Sequence, residues 1–259
     1  MIGETGDSFA VLADIHGNAD ALRAVLADID AQGITQVLNL GDLFSGPLAA
    51  RETAEILMAR EILTIRGNHD RYLLEQTPAR MQPSDRVAFE QLEPEHLTWL
   101  QSLPATLRLT PDIFLCHGTP RDDTTYWMEH VPPSGVPNRR PLADIAAEAE
   151  GIDASLFLCG HTHIPRRLDI GGGRVIFNPG SVGCPGYDDD LPLYHVMETG
   201  TPAAAYGIVT RTAQGWKTSL AQVPYDPWRM VAMARAADRE DWAGAIGTGW
   251  VGSLQPLTA

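Results

Sequence analysis

The chain has 259 residues, 44% of them hydrophobic and 20% charged, a composition that allows a sizeable core and argues against a disordered chain. Nineteen Lys and Arg against 33 Asp and Glu give a formal net charge of −14, a balance that repels polyphosphate backbones and argues against general nucleic-acid binding. The same acidity suits a protein that holds divalent cations, whose charge offsets part of it.

The first half alternates between strand and helix patterns. FAVLAD (Phe9–Asp14) reads as a short buried strand. Over Asn18–Gly33, Leu22, Val25, Leu26 and Ile29 recur at helical spacing, with Asn18 placed to cap and Gly33 to stop. QVLNLGD (Gln36–Asp42) is strand, Leu48–Arg60 is helix, and EILTIRGNHD is strand followed by loop. That order predicts a parallel sheet with right-handed crossovers. Residues 84–103 predict one or two amphipathic helices, Ile113–Gly118 a strand ending in a loop, and 119–140 a long Pro/Gly-rich excursion carrying Tyr126 and Trp127. Pro141–Glu150 is a helix with Pro at its start, and Ser155–His163 is strand, then loop. A hairpin through Gly171–Gly173, a second hairpin ending near Val223 and helices from about 226 complete a single domain spanning 1–259.

Met1–Ser8 is short and polar, without the pattern of a signal peptide, and no apolar run reaches the ~18 residues a bilayer span needs. Three cysteines, Cys116, Cys159 and Cys184, without a CxxC spacing, read as buried reduced thiols. The expectation is a cytoplasmic protein with no membrane partner.

Polar residues gather where the predicted strands end. Asp14 and His16 follow the first, Asp42 the second, Asn68 and His69 the third; His117 follows Ile113–Cys116, and His161 and His163 follow Leu156–Cys159. Parallel α/β sheets place ligand sites at these ends, so the side chains are expected to converge. In an extended stretch residues i and i+2 point the same way, which would aim Asp14 with His16, and His161 with His163. Glycines before Asp42, Asn68 and His161 let the backbone turn and approach an ion closely. Carboxylate, amide and imidazole without a thiol suit Mn, Fe, Zn or Ni ions. There are too many ligands for one structural zinc, and two ions sharing a carboxylate is the economical solution.

The blocks DIH, GD, GNHD, H and GHTH, in this order and after these strands, resemble the calcineurin-like metallophosphoesterase superfamily over residues 9 to about 183. The trailing NPGSVG (Asn178–Gly183) is similar to the small bacterial and archaeal phosphodiesterase branch. One departure is Ser45, followed by Gly46-Pro47, where many members carry an acidic or basic residue. The resemblance implies a four-layer α/β/β/α sandwich and two divalent or trivalent ions, Mn or Fe favoured. It implies Asp14, His16, Asp42 and His163 on one ion, and Asp42, Asn68, His117 and His161 on the other. His69 would stabilise phosphoryl charge or protonate the leaving oxygen, and Asp70 would orient His69 or cap the next helix. The implied reaction is phosphoester hydrolysis by metal-bound hydroxide, on a small diester or monoester.

Arg121, Arg139 and Arg140 are candidates to clamp a phosphate, and the excursion is expected over the cleft. His195 reads as a packed residue, His96 as exposed on a helix, and Asp188–Asp190 as a solvated loop. Two further readings stand beside the esterase: a serine/threonine protein phosphatase, and a binding scaffold without catalysis. Assembly into a homo-oligomer is left open.

Overall fold

A computed structural model describes residues 4–252. The outermost parts of the expected 1–259 domain, residues 1–3 and 253–259, lie outside the described residues. In chain order the first half holds β1 (Ser8–Leu12), α1 (Ala19–Ala31), β2 (Val37–Asn39), α2 (Ala50–Met58), β3 (Leu63–Thr64), α3 (Asn68–Glu75), α4 (Pro83–Gln91), α5 (Pro94–Ser102), β4 (Leu107–Thr110) and β5 (Ile113–Leu115). After β6 (Glu129–His130) and β7 (Asn138–Arg139) come α6 (Leu142–Glu148), β8 (Leu156–Leu158), β9 (Arg166–Asp169), β10 (Val175–Asn178), β11 (Gly186–Asp189) and β12 (His195–Glu198). The long strands β13 (Ala204–Thr212) and β14 (Gly215–Val223) precede α7 (Trp228–Ala236) and α8 (Glu240–Thr248).

Two five-stranded sheets stack face to face, in the orders β14-β13-β1-β2-β3 and β4-β5-β8-β10-β9. β1, β2 and β3 are parallel, with Val11 opposite Leu38 and Leu38 opposite Leu63. β5, β8 and β10 are parallel in the second sheet. The period of two in β1 sorts its residues between layers. Phe9 and Val11 pack inward against Ile113, Leu115, Leu156, Leu158 and Phe177, whereas Ala10 and Leu12 face outward onto Leu22, Val25 and Leu57 of the helices. β8 divides the same way: Leu156 and Leu158 lie between the sheets, and Phe157 meets Trp127, Ile145 and Ala149 on the far side. Helix, sheet, sheet, helix is the four-layer order expected. Among the described residues, no helix is long and apolar enough to cross a membrane.

Local chemistry explains the helix that leads into the site. The Asn18 carboxamide oxygen accepts the Ala21 N–H at 3.0 Å, capping α1, and Leu22, Val25, Leu26 and Ile29 are buried as their spacing predicts. Several expected strands end early. Asp14, placed in a strand by its pattern, has φ 55°, so β1 stops at Leu12, and β2 stops at Asn39 before Asp42 at φ 56°. Residues 84–103 resolve into α4 and α5, each opened by a proline. His96 is buried instead of exposed: from the first turn of α5 its Nδ1 accepts the Glu93 N–H at 3.0 Å.

Where the sheets meet, the ring of Phe177 lies over Gly207, and a Cβ at Gly207 would stand 2.4 Å from Phe177 Cε1. Gly207→Ala is therefore expected to destabilise the fold by about 1–3 kcal/mol through overpacking. A lower urea midpoint with an unchanged slope is the expected readout.

Candidate metal centre

The ends of β1, β2, β3, β5 and β8 bring their polar residues together. Asp14, His16 and His163 form one group, and Asp42, His117 and His161 a second; in each, one ligand atom per residue lies within 4.8 Å of the others. Asp42 reaches toward both: its Oδ2 is 3.1 Å from His117 Nε2 and 3.8 Å from His16 Nε2. The expected i, i+2 logic does not produce this. Asp14, His16, His161 and His163 all have positive φ, so neither dipeptide is extended, and His161 and His163 fall into different groups.

Backbone carbonyls decide where the imidazole protons sit. His16 Nδ1 lies 2.7 Å from the Ser45 carbonyl, His163 Nδ1 2.6 Å from that of Cys184, and His117 Nδ1 2.8 Å from that of Leu40. A carbonyl only accepts, so each Nδ1 carries a proton, and the neutral rings of His16 and His163 keep a lone pair on Nε2. Burial works against charge on His117, but Asp42, 3.1 Å from its Nε2, raises that ring to about 10 and favours a second proton on it. His161 is reversed: its Nε2–H donates to the Thr124 carbonyl at 2.9 Å, and Nδ1 is the free atom. His16 Nε2 and His163 Nε2 then face one another at 3.1 Å, lone pair to lone pair. Asp14 Oδ2 and the Asn68 carboxamide Oδ1 are buried without a hydrogen-bond partner. Such a set of acceptors fits a cation, with the second ring nitrogens held as metal-ligating histidines commonly hold them.

The electrostatics carry the same tension. Burial raises Asp14 to about 8, while burial lowers His16 and His161 to about 4 each. Burial works against the charge on Asp42 too, yet His117 and His69 beside it hold its carboxyl well below the usual range. His69 is half-buried, which works against its charge, but Asp42 and Asp85 raise it to about 9 and favour its protonated form.

His69 lines the cleft, with its backbone N–H bonded to Asp42 Oδ1 at 3.0 Å and its Nδ1 2.8 Å from Asp85 Oδ1. Asp85, on α4, is fully buried and was not singled out from the sequence. Asp70 does not serve His69. Its carboxylate accepts the N–H groups of Asp42 (2.8 Å), Leu43 (3.0 Å) and Gly67 (2.9 Å), capping α3 and fastening the Asp42 loop. Two glycines permit that approach of β2 and β3. A Cβ on Gly41 would stand 2.3 Å from Gly67 N, and one on Gly67 would stand 2.2 Å from Asp42 Oδ1. The NPGSVG stretch braces β1 from the other side: Val182 and Gly183 donate to the Ala13 and Asp14 carbonyls, and Ser181 Oγ also donates to Asp14.

The arginines predicted to clamp phosphate do not meet here. Arg121 spends its guanidinium on the carbonyls of Glu148 and Glu150, at the end of α6. Arg139 is exposed on β7 and absent from the cleft wall. Arg140 does line the cleft, but it donates to the carbonyls of Tyr126 and Trp127 and lies 3.6 Å from Glu148. The cleft measures about 1230 Å³, and its walls include Arg80, Tyr126, Glu129, Tyr187 and Asp188–Asp190. Asp188 and Asp189 stand on β11, not in the loop expected for them. Trp127 is buried against Phe157, whereas Tyr126 packs on His161 and bonds to the buried His195.

A family model for the calcineurin-like phosphoesterase superfamily domain matches residues 8–201. An uncharacterized protein of Methanocaldococcus jannaschii is 27% identical over 198 residues, 68% of this chain and 76% of that protein. The crystal structure of a metallophosphoesterase from Sphaerobacter thermophilus is similar, with a TM-score of 0.73 and 26% identity across 95% of this chain and 100% of that one. A hypothetical protein of Pyrococcus horikoshii shares the fold with a TM-score of 0.72 and 20% identity, across 95% and 99% of the two chains.

Asp70→Ala tests the scaffold beneath these groups. It strands three buried N–H donors, each costing about 1–3 kcal/mol, so a loss of at least about 3 kcal/mol is expected in chemical unfolding. A loss below about 1 kcal/mol would mean that the Asp42 loop does not depend on this carboxylate.

Proposed function

The chain belongs to the calcineurin-like phosphoesterase superfamily, and from that premise we propose that it hydrolyses a small phosphodiester at a two-cation centre. The observation that carries the reading is the pair of His/Asp groups sharing Asp42 on the floor of a cleft, with His69 beside them and its Nδ1 2.8 Å from Asp85. Asp14, His16 and His163 would hold one ion, and His117, His161 and Asn68 the other, with Asp42 between them. Imidazole, carboxylate and amide oxygen together suit Mn or Fe, with Zn and Ni as alternatives. When bound, such cations supply Lewis acidity, drawing charge from a phosphoryl group and making water more acidic.

The chain's own residues supply the rest. His69 keeps a proton at neutral pH, and its Nδ1 contact with Asp85 leaves Nε2–H as the remaining donor, suited to the oxygen of the departing group. The wall of the cleft bears on substrate charge. Arg239 is spent on Asp241 and Arg140 lies against Glu148. That leaves the exposed Arg80 as the one arginine of the wall without an ion pair among the described residues, against three exposed carboxylates, Asp188, Asp189 and Asp190. A diester carries one negative charge and a monoester close to two at neutral pH, so this wall favours the diester and disfavours polyanions.

The test is turnover of bis(p-nitrophenyl) phosphate, p-nitrophenyl phosphate and a phosphoserine peptide by manganese-loaded protein. The diester is expected to be cleaved fastest. His69→Ala should keep its metal and lose about 10²–10⁴ in turnover, and Asp42→Asn should lose metal from both groups. A preference for the phosphopeptide would favour a protein phosphatase, and no turnover of any ester by metal-loaded protein would favour a binding scaffold.

A further inference from the structure

The C-terminal helices α7 and α8 lie beyond residues 8–201, the part of the chain that the family model matches. They nevertheless reach the centre. Trp242, on the first turn of α8, sets its ring edge-to-face against the imidazole of His16, with centroids 5.8 Å apart and planes at 70°. It lines the same cleft as His16 and is only half-buried.

The loop that departs from the superfamily pattern makes room for this contact. A Cβ at Gly46 would lie 3.0 Å from Trp242 Cζ3 and 2.6 Å from the His16 carbonyl, so any side chain there would push into the indole. The neighbouring Ser45 carbonyl accepts the Nδ1–H of His16 at 2.7 Å. His16 is thus fixed at two points, by a carbonyl at Nδ1 and by an indole against its ring. The indole is itself anchored. The Arg239 guanidinium lies over it at 5.7 Å, pairs with Asp241, and donates through Nη1 to Ser84 Oγ at 2.7 Å. Ser84 sits on α4 beside Asp85, the partner of His69.

We propose that Trp242 is a positioning residue for His16: the C-terminal helix α8 holds this imidazole in its ligating orientation from outside the family domain. The inference rests on reading the two His/Asp groups as a metal centre. An aromatic edge against one side of His16 restricts rotation of the ring about its Cβ–Cγ bond, and it keeps water from competing for Nε2. Only the group of Asp14, His16 and His163 contains the braced ring, so the effect falls chiefly on that group. The second group meets His16 only at the shared Asp42, 3.8 Å from His16 Nε2, while His117 and His161 are oriented by the Leu40 and Thr124 carbonyls.

Calorimetric titration of the metal-free full chain with Mn²⁺ tests this. Wild-type protein is expected to take up two ions. In Trp242→Ala one of the two affinities should weaken by about 10-fold or more, in the range that supporting partners of metal ligands command, while the other stays within threefold. Trp242→Phe, which keeps an aromatic edge, should recover most of the loss. Trp242→Leu keeps apolar bulk under α8 without the edge, so it should behave as Trp242→Ala does, and it decides the matter if the alanine variant does not fold. Two unchanged affinities in Trp242→Leu, or equal weakening of both, would overturn the inference while leaving the metal centre intact. A wild-type chain that binds no Mn²⁺ would overturn the metal reading and this inference together.

Discussion

The structure is organised around acceptors that face one another. His16 and His163 each donate their Nδ1–H to a main-chain carbonyl, so their Nε2 lone pairs face one another beside Asp14 and Asp42 in a buried site. Unpaired, this arrangement is costly, because a buried lone pair without a donor loses its hydration and gains nothing. Five of the six non-glycine residues with positive φ among the described residues are Asp14, His16, Asp42, His161 and His163. At roughly 1–3 kcal/mol for each strained residue, these loops consume an amount comparable to the whole stability of an ordinary domain, about 5–15 kcal/mol. Such geometry persists only where its surroundings over-determine it.

The surroundings do so from three directions. The two sheets, sealed by Phe9, Val11, Leu156, Leu158 and Phe177, fix the strand ends relative to one another. Asp70 ties the loops after β2 and β3 through three backbone donors. Val182 and Gly183 hold the loop after β1 by its carbonyls. None of these groups needs to touch a substrate. They convert a rigid sandwich into fixed positions for side chains that repel one another, and any cation bound there returns stability that grows with the logarithm of its affinity.

Much of this was legible in the sequence because the strands are short, apolar and parallel, and because the residues at their ends are chemically unusual for turns. The four-layer order follows from the superfamily resemblance, and the burial of Leu22, Val25, Leu26 and Ile29 from periodicity alone. The illegible parts have identifiable causes. Positive φ at Asp14 and His16 is invisible to a reading that treats the stretch as extended. Asp85 sits in an unremarkable helical segment, and only the tertiary contact of α4 with α3 makes it the partner of His69. The clamp expected of Arg121 failed because a guanidinium that can satisfy carbonyls at a helix end does so locally. His96 was misplaced for a related reason: its side chain closes back on the start of its own helix.

The residue at position 45 ties these observations together. Where many superfamily members carry a charged side chain, this chain offers Ser45, and it uses the main-chain carbonyl of that residue to orient His16. The carboxylate that faces His69 comes from Asp85, on a helix forty residues further along. The small residues at 45 and 46 have a consequence for packing. Without a long side chain at 45 or any at 46, the loop is thin enough for the indole of Trp242 to close over it. The same α4 that contributes Asp85 contributes Ser84 to Arg239, so the acid of the His69 pair and the wall beyond the family domain hang from one turn of helix. The departure at positions 45–47 is therefore not a defect in the pattern. It is the local condition under which this chain rebuilds one side of the cleft from its own C-terminal helices.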